Sequence, residues 1–504
     1  MTEFKTKEKY DLCIIGGGIN GAGIARDAAM RGLSVLLIEG NDLASATSSG
    51  STKLIHGGLR YLEYYEFSLV RHALQEREKL LQMAPHIIWP LDFVLPHDEN
   101  QRPAWLIRLG LFLYDHLAKR VKLPSSKLLR FKNHAFGRPL KDIYTKGFSY
   151  ADCWVEDARL VVLNAMSARE LGADILTRTI CTQLCPEKNG EWSVHLKNAR
   201  NDNISQIKAK KIVNAAGPWV RNLLDASGLS KEKTPDIRLV QGSHIVTSRL
   251  YEGEQAYILQ QQDRRIVFTI PYENNFTLIG TTDTEINGNP SDAKITDGEI
   301  QYLCDAVNKS LKQDIKPEDI VWTYSAVRPL MDDGAENAKA VTRDYKLIHD
   351  SHNGAEIMSV FGGKITTYRV LADDVLSELY AKEKLSECTT DKTPLAGGDM
   401  PNANKEAYLD TIANEYSWLP KNLLKRYVTA YGTRIQIILD QAQSLDNLGR
   451  HFGDHVYERE IDYLIKNEWA ETLDDVLWRR SKLGLHVTEE TKRNIKNHLS
   501  VAKK

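Results

Sequence analysis

The chain has 504 residues, with 66 Lys plus Arg against 67 Asp plus Glu, so no global charge excess draws it to nucleic acid. That length is expected to hold about two to four domains, because single cores rarely grow beyond roughly 250 to 300 residues. Six cysteines (Cys13, Cys153, Cys181, Cys185, Cys304, Cys388) show no C-x-x-C pair and no metal spacing, which suits buried thiols in a reducing compartment and no metal centre. Met1 to Tyr10 is polar and is read as no signal peptide, and no stretch reaches the roughly 18 uncharged apolar residues that cross a bilayer.

The first thirty residues organise the rest of the chain. Asp11 to Ile15 reads as a buried strand that runs into Gly16-Gly17-Gly18-Ile19-Asn20-Gly21 and then a helix. Gly16, Gly18 and Gly21 fit G-x-G-x-x-G, where the first permits the turn, the second lets backbone approach a pyrophosphate and the third packs helix on strand. A second strand, Ser34 to Ile38, ends in Glu39, 18 residues past Gly21, the acidic residue expected on a ribose hydroxyl. Strand, glycines, helix, strand and acid in this order predict a dinucleotide site.

Asn41 to Ser51, with Thr47, Ser48 and Ser49, is a small-residue loop suited either to wrapping a ligand or to a flexible surface. Lys53 to Leu62 comes next, bringing His56, Arg60 and Tyr61 beside Gly57 and Gly58. Glu66 to Met83 has helical spacing. Leu106 to Val121, opened by Trp105, places Trp105, Leu109, Phe112, Leu113 and Leu117 on one face, and Arg108, Asp115 and Lys119 on another. With its basic flank this helix suits a membrane interface, apolar face down, or a face packed on the core.

Asp157 to Leu171 reads as a helix, Ala173 to Leu176 as the start of a strand, and Glu191 to Leu196 and Ile207 to Val213 as antiparallel strands. Val213 ends in Asn214-Ala215-Ala216-Gly217, a second strand delivering small residues to a turn, so the nucleotide domain is expected to be discontinuous. Strand patterns dominate Ile237 to Asp350, interrupted by a helix at Asp297 to Leu311, and predict a mixed sheet. Ile357 to Phe361 then reaches Gly362-Gly363-Lys364 and Thr366. Beyond about 390 the periodicity is helical.

The expected fold is therefore α/β. A Rossmann-like nucleotide domain (8–84, with 151–235 and 355–385 returning to it) accompanies a mixed-sheet substrate domain (85–150 and 236–354, with the candidate membrane-facing helix at 103–121) and an all-helical C-terminal domain (390–504).

Over nearly its whole length the chain resembles the flavin-dependent glycerol-3-phosphate dehydrogenases of bacteria, within the D-amino-acid-oxidase-like flavoproteins. The narrowest match is Leu54 to Leu62 together with Phe361-Gly362-Gly363-Lys364. The resemblance implies FAD rather than NAD, and its binding is expected to be non-covalent because no feature of the sequence suggests a flavinylation site. The resemblance also implies hydride transfer from C2 of sn-glycerol 3-phosphate, electrons passed to a membrane quinone (ubiquinone or menaquinone), and a monotopic homodimer on the inner face of the cytoplasmic membrane. The expected catalytic groups are His244 as base, Arg328 polarising the C2 oxygen, and His56. Arg60, Tyr61, Thr281, Arg328 and Lys364 are expected to bind substrate. Gly16, Gly18, Gly21, Glu39, Thr47, Ser48, Ser49, Ala216, Gly217, Gly362, Gly363, Lys364 and Thr366 are expected to hold the cofactor. Competing readings are an oxygen-dependent glycerol-3-phosphate oxidase, an amino-acid or sarcosine oxidase, and a flavin-binding sensor that never turns over. The C-terminal domain is expected to dimerise or to cover the site.

Overall fold

The structure is a computed structural model that describes residues 7–99, 101–263, 265–332 and 344–502. Residues 100, 264, 333–343, 503 and 504 of the expected domains lie outside the described residues.

Two large sheets carry the molecule. The first has eight strands, and its main path runs Lys346–His352, Ala355–Phe361, Ile204–Asn214, Lys9–Ile15, Val35–Ile38, Asp174–Leu176. The four pairings from Ala355–Phe361 to Asp174–Leu176 are parallel. Both flanks of a parallel sheet must be covered, and Lys9–Ile15 and Val35–Ile38 accordingly read as near-continuous apolar runs. Helices Ile19–Met30, Asp157–Glu170 and Tyr368–Leu379 pack against one another over it. This parallel order places the turns after Ile15, Asn214 and Phe361 at one end of three adjacent strands.

The second sheet has ten strands. Its longest pairing runs antiparallel between Ile237–Ser248 and Ile320–Met331. Ile237–Ser248 also pairs with Phe276–Gly280. Lys346–His352, which a boundary at 354 assigns to the second sheet, pairs instead with Ala355–Phe361 in the first. Leu54–Ile55, inside 8–84, pairs with Lys146–Val155 in the second.

The amphipathic helix is shorter than expected and rotated. It spans Ala104–His116 and buries Leu111, Tyr114 and Asp115. Beyond it the backbone N–H groups of Val121 and Lys122 donate to the Glu78 carboxylate, which draws the chain out of helical path. Asp115 is inside rather than on the polar face, because the Ser126 backbone and hydroxyl donate to it and Arg120 pairs with it. Trp105, Leu106, Leu109, Phe112 and Leu113 are left outside, Trp105 with 68% and Phe112 with 49% of its surface exposed.

Residues 401–502 are mostly helical, with one short hairpin, His451–Gly453 with Val456–Tyr457, closed by Asp454 and His455 in the left-handed region. Their core is continuous with that beneath the first sheet, running from Leu12 to Leu499. The buried Asp42 carboxylate, in the loop after Val35–Ile38, accepts two hydrogen bonds of 2.7 Å from Arg480, which is also buried, and one from Arg479. No helix among the described residues is long and apolar enough to cross a membrane.

Candidate active site

One cavity of about 1170 Å3 opens between the two sheets. Its lining includes His244, Arg328, His56, Arg60, Tyr61, Thr281 and Lys364, together with Thr47, Ser48, Gly362, Gly363 and Thr366. Gly16, Gly18, Gly21, Glu39, Ser49, Ala216 and Gly217 are not in this lining. Except for Ser49, in a short helical turn at Thr47–Ser49, and Gly21, in the first turn of helix Ile19–Met30, they follow the ends of strands Lys9–Ile15, Val35–Ile38 and Ile204–Asn214.

The first turn has no room for a side chain at Gly16 or Gly21. A Cβ on Gly16 would stand 2.3 Å from the Ala215 carbonyl oxygen, and one on Gly21 1.9 Å from that of Gly16. The N-terminus of helix Ile19–Met30 faces this turn with no side-chain cap from Gly18, and the Ile19 N–H donates to Ser48 Oγ at 3.0 Å. At the end of Val35–Ile38 the Glu39 carboxylate accepts from the Gly17 and Asn41 backbone N–H groups at 2.7 and 2.8 Å. Burial outweighs these donors and raises its pKa. Gly362 and Gly363 both adopt positive φ, and Asn20 Nδ2 donates to the Gly362 carbonyl at 3.1 Å, joining the first and third turns. A helix N-terminus with free backbone donors, close-packed glycines and an acid at the next strand end are what a pyrophosphate and a ribose require.

The side of the cavity that holds His244 rests on cross-strand register. His244 lies opposite Gly280 on one neighbour and opposite Tyr324 on the other. A Cβ at Gly280 would stand 2.1 Å from the His244 ring, and Tyr324 stacks on that ring at 4.6 Å and 13°. Thr52 Oγ1 meets His244 Nε2 at 3.0 Å. Burial first, then the Lys53 and Arg328 charges, holds the His244 pKa well below the ordinary histidine value, so the ring is neutral at pH 7.

Gly242, two residues before His244 on the same face, leaves space for Arg328. A Cβ there would stand 2.4 Å from the Arg328 guanidinium. Arg328 is held by an ion pair to Asp283 and donates to Thr281 Oγ1 at 3.1 Å and to the Thr282 carbonyl at 3.2 Å. Its charge is thus shared with a carboxylate that also lines the cavity. Lys364 Nζ sits 4.1 Å from the centre of the Tyr61 ring, a cation–π contact. The His56 N–H donates to Thr366 Oγ1 at 3.3 Å.

Sequence reasoning missed Thr52, Tyr324 and Asp283, all brought in by strand pairing or loop return. It also missed the rings behind His244. Tyr324 contacts Trp322 at 5.0 Å, and Trp322 stacks on Trp478 of the C-terminal region at 4.2 Å and 13°.

A family model described as FAD dependent oxidoreductase matches residues 11–369. A second, described as the C-terminal domain of alpha-glycerophosphate oxidase, matches residues 388–504. The glycerol-3-phosphate dehydrogenase of Pseudomonas aeruginosa is 52% identical over 484 residues, 95% of this chain and 93% of that protein. The chain belongs to the FAD-dependent glycerol-3-phosphate dehydrogenases.

Within reach of the same family, the D-erythritol 1-phosphate dehydrogenase of Brucella abortus is 50% identical over 483 residues, 96% of each chain. The X-ray structure of the glycerol-3-phosphate dehydrogenase of Bacillus halodurans, complexed with FAD, aligns with a TM-score of 0.76 at 25% identity. It covers 98% of this chain and 94% of that one. The fold class is the expected one, a flavin-binding α/β fold with mixed sheets and a helical C-terminal region. The cofactor of this glycerol-3-phosphate dehydrogenase family member is FAD, and the Gly16 to Gly21 turn with Glu39 fits its diphosphate and ribose.

Proposed function

We propose that this chain oxidises sn-glycerol 3-phosphate to dihydroxyacetone phosphate and passes the electrons to a membrane quinone. The observation that carries the reading is the convergence of His244, Arg328, Arg60 and Lys364 in one cavity that Gly362 and Gly363 also line. FAD, bound non-covalently, supplies the acceptor for the hydride that leaves C2. The chain's residues handle charge and proton. Lys364 and Arg60 suit the phosphate dianion. Arg328, held in place by Asp283, polarises the C2 oxygen. His244, neutral when free, takes the hydroxyl proton. The bound phosphate's negative charge offsets Arg328 and raises the ring's basicity when it is needed. His56 and Tyr61 orient the substrate.

Leu106, Leu109 and Leu113 of the outward-facing helix also line this cavity. An apolar, membrane-suited surface at its mouth supports quinone arriving from the bilayer, with the protein lying on the inner face of the cytoplasmic membrane as a homodimer. The Brucella relative gives D-erythritol 1-phosphate as a second substrate reading. Both polyol phosphates present a secondary alcohol and a phosphate to the same cations.

The test is the visible spectrum of the purified holoenzyme without oxygen, before and after each polyol phosphate, then after a soluble quinone or air. Bleaching by glycerol 3-phosphate with recovery faster by quinone than by air is the expected outcome. Faster recovery in air makes it an oxidase, and bleaching by the erythritol ester alone reassigns the substrate. A yellow protein that neither bleaches overturns the reading and leaves an amino-acid-type oxidase, detected by bleaching with amino acids, or a sensor that no small substrate reduces.

A further inference from the structure

Beside His244 lies a buried construction that the proposed reaction leaves unused. Lys53 is fully buried and its backbone adopts φ 60°, the left-handed region that a lysine visits only under constraint. The constraint is visible. Lys53 Nζ donates to Asp157 Oδ1 at 2.7 Å and to the Ser49 carbonyl at 3.2 Å, and both members of the ion pair have no exposed side-chain surface. Asp157 also accepts from the Ser51 backbone and hydroxyl at 3.2 and 2.8 Å. Tyr324 closes the ring by donating from its hydroxyl to the Ser51 carbonyl at 2.8 Å, and Lys53 Nζ lies 5.1 Å from the centre of its ring. Residues 51 and 53 are thus both clamped. Thr52 between them presents its hydroxyl to His244 Nε2 at 3.0 Å.

We propose that Thr52 is a positioning residue, which holds the proton of His244 on Nε2 and so leaves Nδ1 as the basic atom of the ring. The proposal rests on the reading of His244 as base. The argument is one of satisfaction. Nδ1 is buried and has no hydrogen-bond partner among the described residues. A proton on Nδ1 would leave a buried N–H orphaned, which folded proteins almost never tolerate, whereas an unpaired acceptor is tolerated more often. With the proton on Nε2, the Thr52 oxygen accepts it and the ring is held by Tyr324 on one face. The charged groups around the ring are Lys53, paired with Asp157, and Arg328, paired with Asp283.

Thr52→Val keeps the shape and removes the acceptor, and Thr52→Ser keeps the acceptor. Holoenzyme of each is mixed with glycerol 3-phosphate without oxygen across pH 5 to 9, and ring 15N shifts of labelled histidine are recorded, with His244 assigned by His244→Gln. The expected result for valine is flavin reduction about tenfold slower or more, unchanged FAD content and substrate affinity, a displaced pH profile, and His244 shifts moved toward a mixture of tautomers. Serine restores rate and shifts. A valine variant with parental rate and shifts overturns the proposal, as does a slow valine variant that serine does not rescue. If His244→Gln itself reduces flavin at the parental rate, the base reading falls, and the nitrogen shifts of the valine variant still decide whether Thr52 fixes the tautomer.

Discussion

At Arg328, the group proposed to polarise the substrate oxygen, two demands meet, since such a residue must reach the oxygen and must not wander. The Asp283 pair and the Thr281 and Thr282 oxygens solve the second demand at the cost of sharing the charge. In that reading Arg328→Ala removes the polarising group and leaves Asp283 without its ion-pair partner, so flavin reduction by glycerol 3-phosphate should fall by about 10²- to 10³-fold while the protein stays yellow. Stopped-flow reduction together with the flavin content of the variant checks this. Parental kinetics would remove Arg328 from the site. The sequence offered this residue only through the family resemblance, as one of three cations suited to a phosphate ester, and its place beside Gly242 and His244 came from strand pairing. It hid Asp283 and Thr52, whose relevance depends on which strands lie side by side.

Among the elements, helix Ala104–His116 is the most telling. Its sequence marked it as amphipathic but not which side faced inward, since Tyr114 and Asp115 look like outward residues until Asp152 and Ser126 are seen to satisfy them. With Trp105, Leu109 and Phe112 outside, replacing Leu109 and Phe112 by Asp should shift the protein from membrane pellets to supernatant with normal flavin reduction by substrate. Each charge placed on the apolar face must leave water and removes apolar area from the contact, which weakens interfacial binding. Flotation with liposomes measures it, and unchanged co-flotation would assign membrane binding to another surface. Ile88–His97 was illegible for a different reason. Pro90 and Pro96 argue against a strand, yet this one is paired with Lys146–Val155 along its whole length.

The scale of the whole molecule is governed by contacts between distant segments. Asp42, in the loop after the second strand of the nucleotide fold, is locked to Arg480 near the far end of the chain. Asp42→Ala strands that buried guanidinium, and thermal unfolding should show a loss of about 3 to 5 kcal/mol. A melting temperature equal to the parent's would mean the pair contributes nothing net. The nucleotide sheet was legible because its strands are short apolar runs that end in glycine turns. The union of that sheet with the C-terminal helices in one core was not, since periodicity reports that a face is buried and never against what.

That same chain order has a consequence for synthesis. Lys9–Ile15 needs Ile204–Asn214 beside it, and at about 5 to 20 residues per second the ribosome delivers that partner roughly 190 residues and about 10 to 40 s later. Until then one edge of the nascent sheet is open to wrong pairing, a burden for chaperones rather than for the finished enzyme. Gly362 and Gly363 emerge later still, so flavin loading belongs to the last stage of the protein's making.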